Sequence, residues 1–137
     1  EEYATEAVTL LEELAEQYPD EPDHQADLAH ALMMKARIER ELGRAGRIEA
    51  IRERALEIRE SLVAEFPEKQ RYQKDLAQSL HMKAGQLLQR GQVQEAEQLY
   101  RRCIPISDRL SAEFPGVLFY AEASCQAHLG LAETLRR

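Results

Sequence analysis

A repeat with a fixed period constrains this chain more than any other feature. An Ala-Glu pair followed by an aromatic residue and a proline occurs three times, as AEQYP, AEFP and AEFP, ending at Pro19, Pro67 and Pro115. Successive prolines are 48 residues apart. A constant period of about 20 to 50 residues is typical of proteins built from stacked structural repeats. We therefore expect each period to form one structural unit.

The aligned copies share apolar positions with helical spacing. The aligned sets are Ala7, Ala55 and Cys103; Val8, Leu56 and Ile104; Leu10, Ile58 and Ile106; Leu14, Leu62 and Leu110; and Tyr18, Phe66 and Phe114. Steps of three and four residues keep these side chains on one stripe of an α-helix. The residue before a proline is pushed out of the helical region, and proline suits the first turn of a helix. The aromatic-proline pair is thus predicted to end one helix, close the junction and begin the next.

A second helix is predicted after each proline. Apolar residues at Tyr72, Leu76, Leu80 and Ala84 recur every three or four positions, and Gly91 follows as a left-handed cap. Gly43 has the same place in the previous copy. No segment alternates with period two, so the expected fold class is all-α. The predicted helices cover residues 2–17, 22–42, 46–65, 68–89, 93–112 and 116–136.

We expect the helices to form antiparallel pairs within a single repeat domain over residues 1–137. Two full units, 19–66 and 67–114, are flanked by partial units at 1–18 and 115–137, which indicates a piece of a longer protein. Small residues let neighbouring helices approach closely. They are Ala36, Ala84, Ala96 and Ala132. The two ends of such an array expose apolar faces, which favours self-association.

The segment GQVQEAEQLYRRCI resembles the second-helix pattern of the tetratricopeptide repeat (TPR) family. Gly91, Ala96, Tyr100 and Cys103 stand at its glycine, alanine, aromatic and small positions, and GRAGRIEAIRERAL repeats the pattern more loosely. The TPR unit usually has about 34 residues, so longer helices are expected here. The resemblance implies an α-solenoid with a right-handed superhelix. The long unit with AEFP also resembles TPR arrays that follow serine/threonine kinase domains in bacterial signalling proteins.

In the TPR family, the first helix of each unit faces a concave groove that binds a peptide or protein segment. The matching positions are His30, Met33, Arg37, Arg40, Gln78, His81, Gly85, Gln126, Leu129 and Glu133. Met33, His81 and Leu129 are equivalent, so the resemblance implies a row that suits an apolar segment, to which arginines add a carboxylate contact. The Lys/Asn clamp that some TPR domains use for a C-terminal carboxylate is not reproduced. A row that is merely solvated or packed is the alternative.

Composition narrows the possible partners. The net charge of −7 argues against binding to a nucleic-acid backbone, and no apolar run or leader indicates a membrane or export, so a cytoplasmic location is expected. Residues 1–34 contain ten acidic side chains and no Lys or Arg. Such a segment either docks a basic partner or presents a solvated acidic face.

Nothing in the sequence predicts an enzyme or a cofactor. HExxH, GxSxG and a Gly-rich phosphate loop are all absent from the sequence. His24 and His128 are interpreted as packed helix residues, and Cys103 and Cys125 as small core residues. No metal site is predicted, although a site drawing on His30 and His81 is conceivable.

Two local features stand out from the repeat. Pro105 lies inside the fifth predicted helix, where it removes an amide opposite the carbonyl of Arg101, so we expect a bend. Val117, Leu118 and Phe119 replace polar residues of the previous copy and are expected to be covered by the preceding helix, a further repeat or a partner. The sequence favours a protein-binding scaffold, with a structural spacer or oligomerisation element as the alternative.

Overall fold

The computed structural model describes residues 2–137, and this part of the chain folds into six α-helices without a β-strand. The helices are α1 (Glu2–Gln17), α2 (Asp23–Glu41), α3 (Ile48–Glu65), α4 (Gln70–Gln89), α5 (Val93–Glu113) and α6 (Leu118–Arg136). A short 3₁₀ turn, Ala45–Arg47, precedes α3. The all-α class and all six helices predicted from the repeat are confirmed.

Glycine ends α2 and α4 in the way that the sequence predicts. Gly43 and Gly91 have φ of 75° and 79°, the left-handed region in which only glycine avoids a steric penalty. After α4, the amide of Gln92 donates to the carbonyl of Leu87, 2.9 Å away, and the amide of Gly91 donates to Leu88. The same pair of bonds follows α2. These bonds satisfy helix-end carbonyls and turn the chain sharply into the next helix.

The aromatic-proline pairs end helices but do not begin them. The amide of Phe66 donates to the carbonyl of Leu62 and closes the last turn of α3, after which Phe66 takes φ −129° and ψ 68°, outside the helical region. The prediction that proline occupies the first turn of the next helix is wrong. Pro67 lies in a turn, and α4 starts three residues later at Gln70, because a turn is needed to reverse the chain direction.

The described residues fall into two compact units, divided after Pro67. In the first unit, α2 packs against both α1 and α3. Its core joins side chains from all three helices. They are Val8 on α1, Leu28, Ala29 and Leu32 on α2, and Ala55 on α3. In the second unit, Glu68–Arg137, α5 packs against both α4 and α6.

The core of the second unit follows the repeat. Tyr72, Leu80, Ala84, Cys103 and Ala127 are all almost completely buried. Ala84 and Ala96, two of the small residues predicted at helix contacts, are fully inaccessible to solvent. Ala36 is buried in the same way in the first unit.

Several residues predicted to be buried lie at the surface instead. Leu10 on α1 is 60% exposed, and Cys125, His128 and Ala132 on α6 are exposed. Each aligns with a buried or partly buried residue of another copy, but α1 and α6 have a packed neighbour on one side only within their units. The predicted role of Cys103 as a small core residue is confirmed.

Pro105 is accommodated within a continuous α5. The helix runs from Val93 to Glu113, and both Pro105 and Arg101 are exposed, so the carbonyl that loses its amide partner lies on the solvent side. The bend at this position stays a prediction.

Candidate functional site

The predicted groove residues of the first unit lie along α2. His30, Arg37 and Arg40 are exposed, and the guanidinium of Arg37 lies 3.9 Å from the carboxylate of Glu41. Met33 is half-buried and packs against the core cluster that includes Leu32. This stripe therefore offers cationic side chains to a ligand, while part of the Met33 side chain already serves the core.

In the second unit, the predicted residues form two stripes, on α4 and on α6. Gln78 is exposed on α4, and His81 is half-buried one turn later. On α6, Gln126 is exposed and Leu129 is 64% exposed. The helices α4 and α6 both pack on α5 and also contact each other. That their two stripes form one surface stays a prediction. The row of Met33, His81 and Leu129 across three helices stays a prediction.

Tyr100 of α5 lies beneath this surface of the second unit. Its side chain is almost fully buried, and the imidazole of His81 meets the ring edge-on, with 5.7 Å between centroids. Glycines on both neighbouring helices lie beside the phenol, but only Gly130 is required to make room for it. A Cβ at Gly85 would lie 3.7 Å from the Tyr100 hydroxyl, and a Cβ at Gly130 would overlap the ring. Burial raises the pKa of Tyr100, and the nearby Cys103 adds to this effect.

The C-terminal part of α6 contains a cluster of charges. The carboxylate of Glu133 accepts hydrogen bonds from the guanidinium groups of Arg136 and Arg137, at distances from 2.7 to 3.2 Å. These bonds lower the pKa of Glu133. The predicted groove residue Glu133 is therefore an ionised carboxylate held by its own helix, and it presents neighbouring arginines at the end of the stripe.

A polar contact joins α5 to α6 in the second unit. The carboxylate of Asp108 accepts a hydrogen bond from the Ser124 hydroxyl and lies 3.1 Å from Nε2 of His128. His128 is more than half exposed, so the prediction that it is a packed helix residue is wrong. Its apolar counterpart in α4 is Leu80, which is buried. His24 is half-buried in the first unit and pairs with Glu21 at 3.1 Å.

The apolar segment before and at the start of α6 is uncovered. Val117, Leu118 and Phe119 are 40%, 70% and 45% exposed, so no part of the described chain buries them. Covering by the preceding helix, one of three expected possibilities, is wrong. The ring of Phe119 packs on that of Tyr120, with centroids 6.1 Å apart.

A cleft in the first unit was not predicted from the sequence. It has a volume of about 490 Å³ and lies beside the start of α3. Its lining consists of Thr5, Lys35, Glu39, Arg44, Gly46 and Arg47. Glu39 is almost completely buried, and its carboxylate lies 4.0 Å from the guanidinium of Arg44. The sequence does contain a signal, because Glu39 aligns with the core residue Leu87 of the next copy.

Within residues 2–137, no group of three or more His, Cys, Asp or Glu side chains is arranged to hold a metal ion. His30 and His81, the conceivable ligand pair, belong to different units. None of the six described helices has an apolar stretch that could span a bilayer.

Comparison with known proteins returns no match to a family model, to a curated protein or to a solved structure. The sites are therefore interpreted from their own geometry.

Proposed function

We propose that the chain is a TPR-like α-solenoid that acts as a protein-interaction scaffold. Its 48-residue period, its glycine-capped helices and its small residues at the helix contacts support this assignment. The resemblance of its units to TPR arrays of bacterial signalling proteins suggests a similar setting.

The proposed binding surface in the second unit consists of Gln78, His81 and Gly85 on α4 and Gln126, Leu129 and Glu133 on α6. One observation carries the proposal: Leu129, a large apolar side chain at a predicted groove position, is 64% exposed. Apolar side chains exposed on a polar rim are typical of contact sites. In the first unit, Met33, Arg37 and Arg40 on α2 form a separate proposed contact stripe.

The chemistry of this surface favours a segment that combines apolar and polar groups. Leu129 provides an apolar contact, and the amides of Gln78 and Gln126 both donate and accept hydrogen bonds, which suits a peptide backbone. Arg37 and Arg40 provide charge-assisted bonds to a carboxylate. We therefore expect a peptide bound to the second unit to carry an apolar side chain, and a peptide bound to the first unit to carry an acidic side chain.

Peptide selection tests this proposal. Random peptides displayed on phage are selected on the immobilised chain, and the affinity of a selected synthetic peptide is measured by calorimetry. The double variant Met33→Glu with Leu129→Glu is expected to weaken binding at least about tenfold, equal to ~1.4 kcal/mol, because both apolar contacts become charged. The helical content and melting temperature serve as folding controls.

A matched control adds two charges away from the groove. Thr9→Glu with Gln94→Glu changes two exposed residues, on α1 and α5. This variant should keep the affinity of the parent chain. Equal affinity of the groove variant and the control would contradict the proposed groove.

Self-association is a second candidate function, and a specific observation favours it. Large apolar side chains are exposed on the first and the last described helices: Tyr3, Leu10, Leu118, Leu129 and Leu135. Exposed apolar side chains at both ends suit an oligomerisation or spacer element.

A further inference from the structure

The structure contains one type of helix contact twice. It also contains two helices, α6 and α1, that correspond to the two sides of such a contact but belong to different units. In the first unit, α3 packs on α2; in the second, α5 packs on α4. The sequence period makes α6 equivalent to α2 and α4, and α1 equivalent to α3 and α5. Within its unit, α6 packs on the preceding α5, and α1 packs on the following α2. The helix that would complete α6 has the pattern of α1.

The α4·α5 contact shows which residues form this interface. The Sγ of Cys103 on α5 lies 3.3 Å from the carbonyl oxygen of Ala77 on α4. Leu99 on α5 packs against the cluster of Leu87, Leu88 and Ala96. The α2·α3 contact repeats the arrangement, with Ala55 and the partly buried Ile51 packed against the α2 residues of the core.

On α6, four of the equivalent positions are apolar and exposed. We call Ala121, Cys125, Ala132 and Leu135 the α6 face. Their equivalents on α4 are Gln73, Ala77, Ala84 and Leu87, all of which are at most 8% exposed. All four residues of the α6 face are exposed, and Leu135 is 56% exposed.

The complementary residues on α1 are partly open. We call Tyr3, Ala7, Leu10 and Leu14 the α1 stripe, which aligns with Leu99, Cys103, Ile106 and Leu110 of α5. Tyr3 and Leu10 are 85% and 60% exposed, Ala7 and Leu14 are partly buried, and the neighbouring side of α1 is buried through Val8 and Ala15. The α1 stripe thus aligns with buried or partly buried residues of α5, while two of its own four side chains, those of Tyr3 and Leu10, are exposed.

We propose that the chain assembles head to tail, with the α1 stripe of one copy packed on the α6 face of the next. Equivalence with the α4·α5 contact pairs Ala7 of one copy with Cys125 of the other, and Tyr3 with Leu135. The small Ala7 and Cys125 allow close approach at the centre, as Ala77 and Cys103 do. This contact is one form of the oligomerisation function proposed above and does not depend on peptide binding.

The distribution of charge favours the head-to-tail contact of α1 with α6 over the pairing of two α1 helices. Residues 1–67 contain 17 acidic and 8 basic side chains, a net charge of −9. Residues 68–137 contain 8 acidic and 10 basic side chains, a net charge of +2. Head-to-tail contact brings opposite charges together, whereas pairing of two α1 helices brings two strongly acidic units together. Because the interface is heterologous, it also leaves one open end on each assembly and permits chains longer than a dimer.

Sedimentation of paired variants tests the proposal. The parent chain is expected to show a mass that rises with concentration and exceeds that of a dimer. Leu10→Glu blocks the α1 stripe and Ala132→Glu blocks the α6 face, and both sites are exposed, so folding should be retained. Each variant alone should associate at least about tenfold more weakly, because a buried, unpaired carboxylate is costly.

An equimolar mixture of the two variants gives the decisive result. Each variant keeps the end that the other has lost, so the mixture should form a one-to-one dimer and nothing larger. Thr9→Glu, exposed on the other side of α1, is the matched control and should associate like the parent chain. An Ala7→Cys variant should also form disulfide-linked ladders through Cys125 on oxidation, whereas the parent chain should not.

Three outcomes would overturn the proposal. The first is a parent chain that stays monomeric up to about 1 mM, which corresponds to a binding free energy weaker than ~4 kcal/mol. The second is loss of association with Ala132→Glu but not with Leu10→Glu, which indicates pairing of two α6 faces. The third is a mixture of the blocked variants that remains monomeric. A monomeric chain that still binds selected peptides would contradict the assembly and leave the groove intact.

Discussion

The phenol ring of Tyr100 on α5 lies directly against the Cα of Gly130 on α6. A Cβ at position 130 would overlap Cε1 of the ring, far inside van der Waals contact. Gly85, on the opposite neighbour α4, is near the same phenol but leaves ordinary space, with 3.7 Å to the hydroxyl. One buried ring therefore imposes different requirements on two helical glycines.

Gly130→Ala is expected to lower the free energy of unfolding by about 1–3 kcal/mol. A glycine inside a helix ordinarily costs about 0.5–1 kcal/mol relative to alanine, but here the added methyl group must displace a rigid, buried ring. Gly85→Ala is the matched control and should raise the free energy of unfolding by that helix-propensity amount. Urea unfolding measures both, and a stabilised Gly130→Ala variant would contradict the close contact.

Gly91→Ala is expected to destabilise the second unit by about 1 kcal/mol, because an L-residue pays a steric penalty in the left-handed region. The space around position 91 is open, so the backbone angle alone determines the loss. Gly116→Ala provides the control. Gly116 also lies in open space but has no positive φ, so its substitution should change the free energy of unfolding by less than about 0.5 kcal/mol.

Much of the fold follows from the sequence because the determining features are local. The spacing of Leu76, Leu80 and Ala84 predicts α4, and Gly91 predicts its end, without any knowledge of neighbouring helices. Burial is different, since it depends on whether another helix is present. Cys125 is predicted to be a small core residue, and Leu10 is predicted to lie on the apolar stripe that it shares with Ile58. Both lie instead on faces of α6 and α1 that no helix of their own unit covers.

The candidate sites were predicted less completely. The exposed Leu129 follows from the alignment with TPR groove positions, but the contact between Tyr100 and Gly130 depends on how closely two helices approach, which the pattern does not specify. Glu39 shows that the sequence also contained an indication of the cleft. A charged residue at the position of the core residue Leu87 indicates a polar pocket, and the structure places Glu39 in a cleft beside Arg44.

The free energy of unfolding is expected to fall as pH rises through the range of the Cys103 thiol. Burial raises the pKa of Cys103 above its ordinary value of 9.0, and the nearby Asp108 carboxylate adds to this, against a hydrogen bond with Ser107 that lowers it. As pH rises, the unfolded chain loses this proton before the folded chain does. The contribution of the thiol to the free energy of unfolding is therefore fully present below about pH 9 and is lost as pH rises towards the pKa of the thiol in the folded chain.

Urea unfolding between about pH 7 and pH 10 measures this dependence, because that pH range brackets the ordinary pKa of a thiol. Cys103→Ala is the matched variant, because Ala7 and Ala55 occupy the equivalent positions. Its stability should fall less steeply between about pH 8 and pH 9.5 than that of the parent chain. Identical slopes for the two proteins would show that the buried thiol does not contribute.

Leu118→Lys is expected to weaken self-association less than Ala132→Glu does. Leu118 is 70% exposed at the start of α6, and its equivalent Gln70 is exposed on α4, so it lies at the rim of the proposed interface; Ala132 aligns with the fully buried Ala84. Side chains at a rim contribute less to binding than those at a desolvated centre. The free energy of unfolding should change by less than about 0.5 kcal/mol, because the leucine is already solvated.

Sedimentation velocity of the two variants at matched concentrations measures this order. Val117→Lys is the control for the added charge, because the previous copy has Lys69 at the equivalent position. It should leave association unchanged. If Leu118→Lys weakened association more than Ala132→Glu, the contact would be centred on the N-terminal end of α6 instead of on the face that aligns with the α5-covered side of α4.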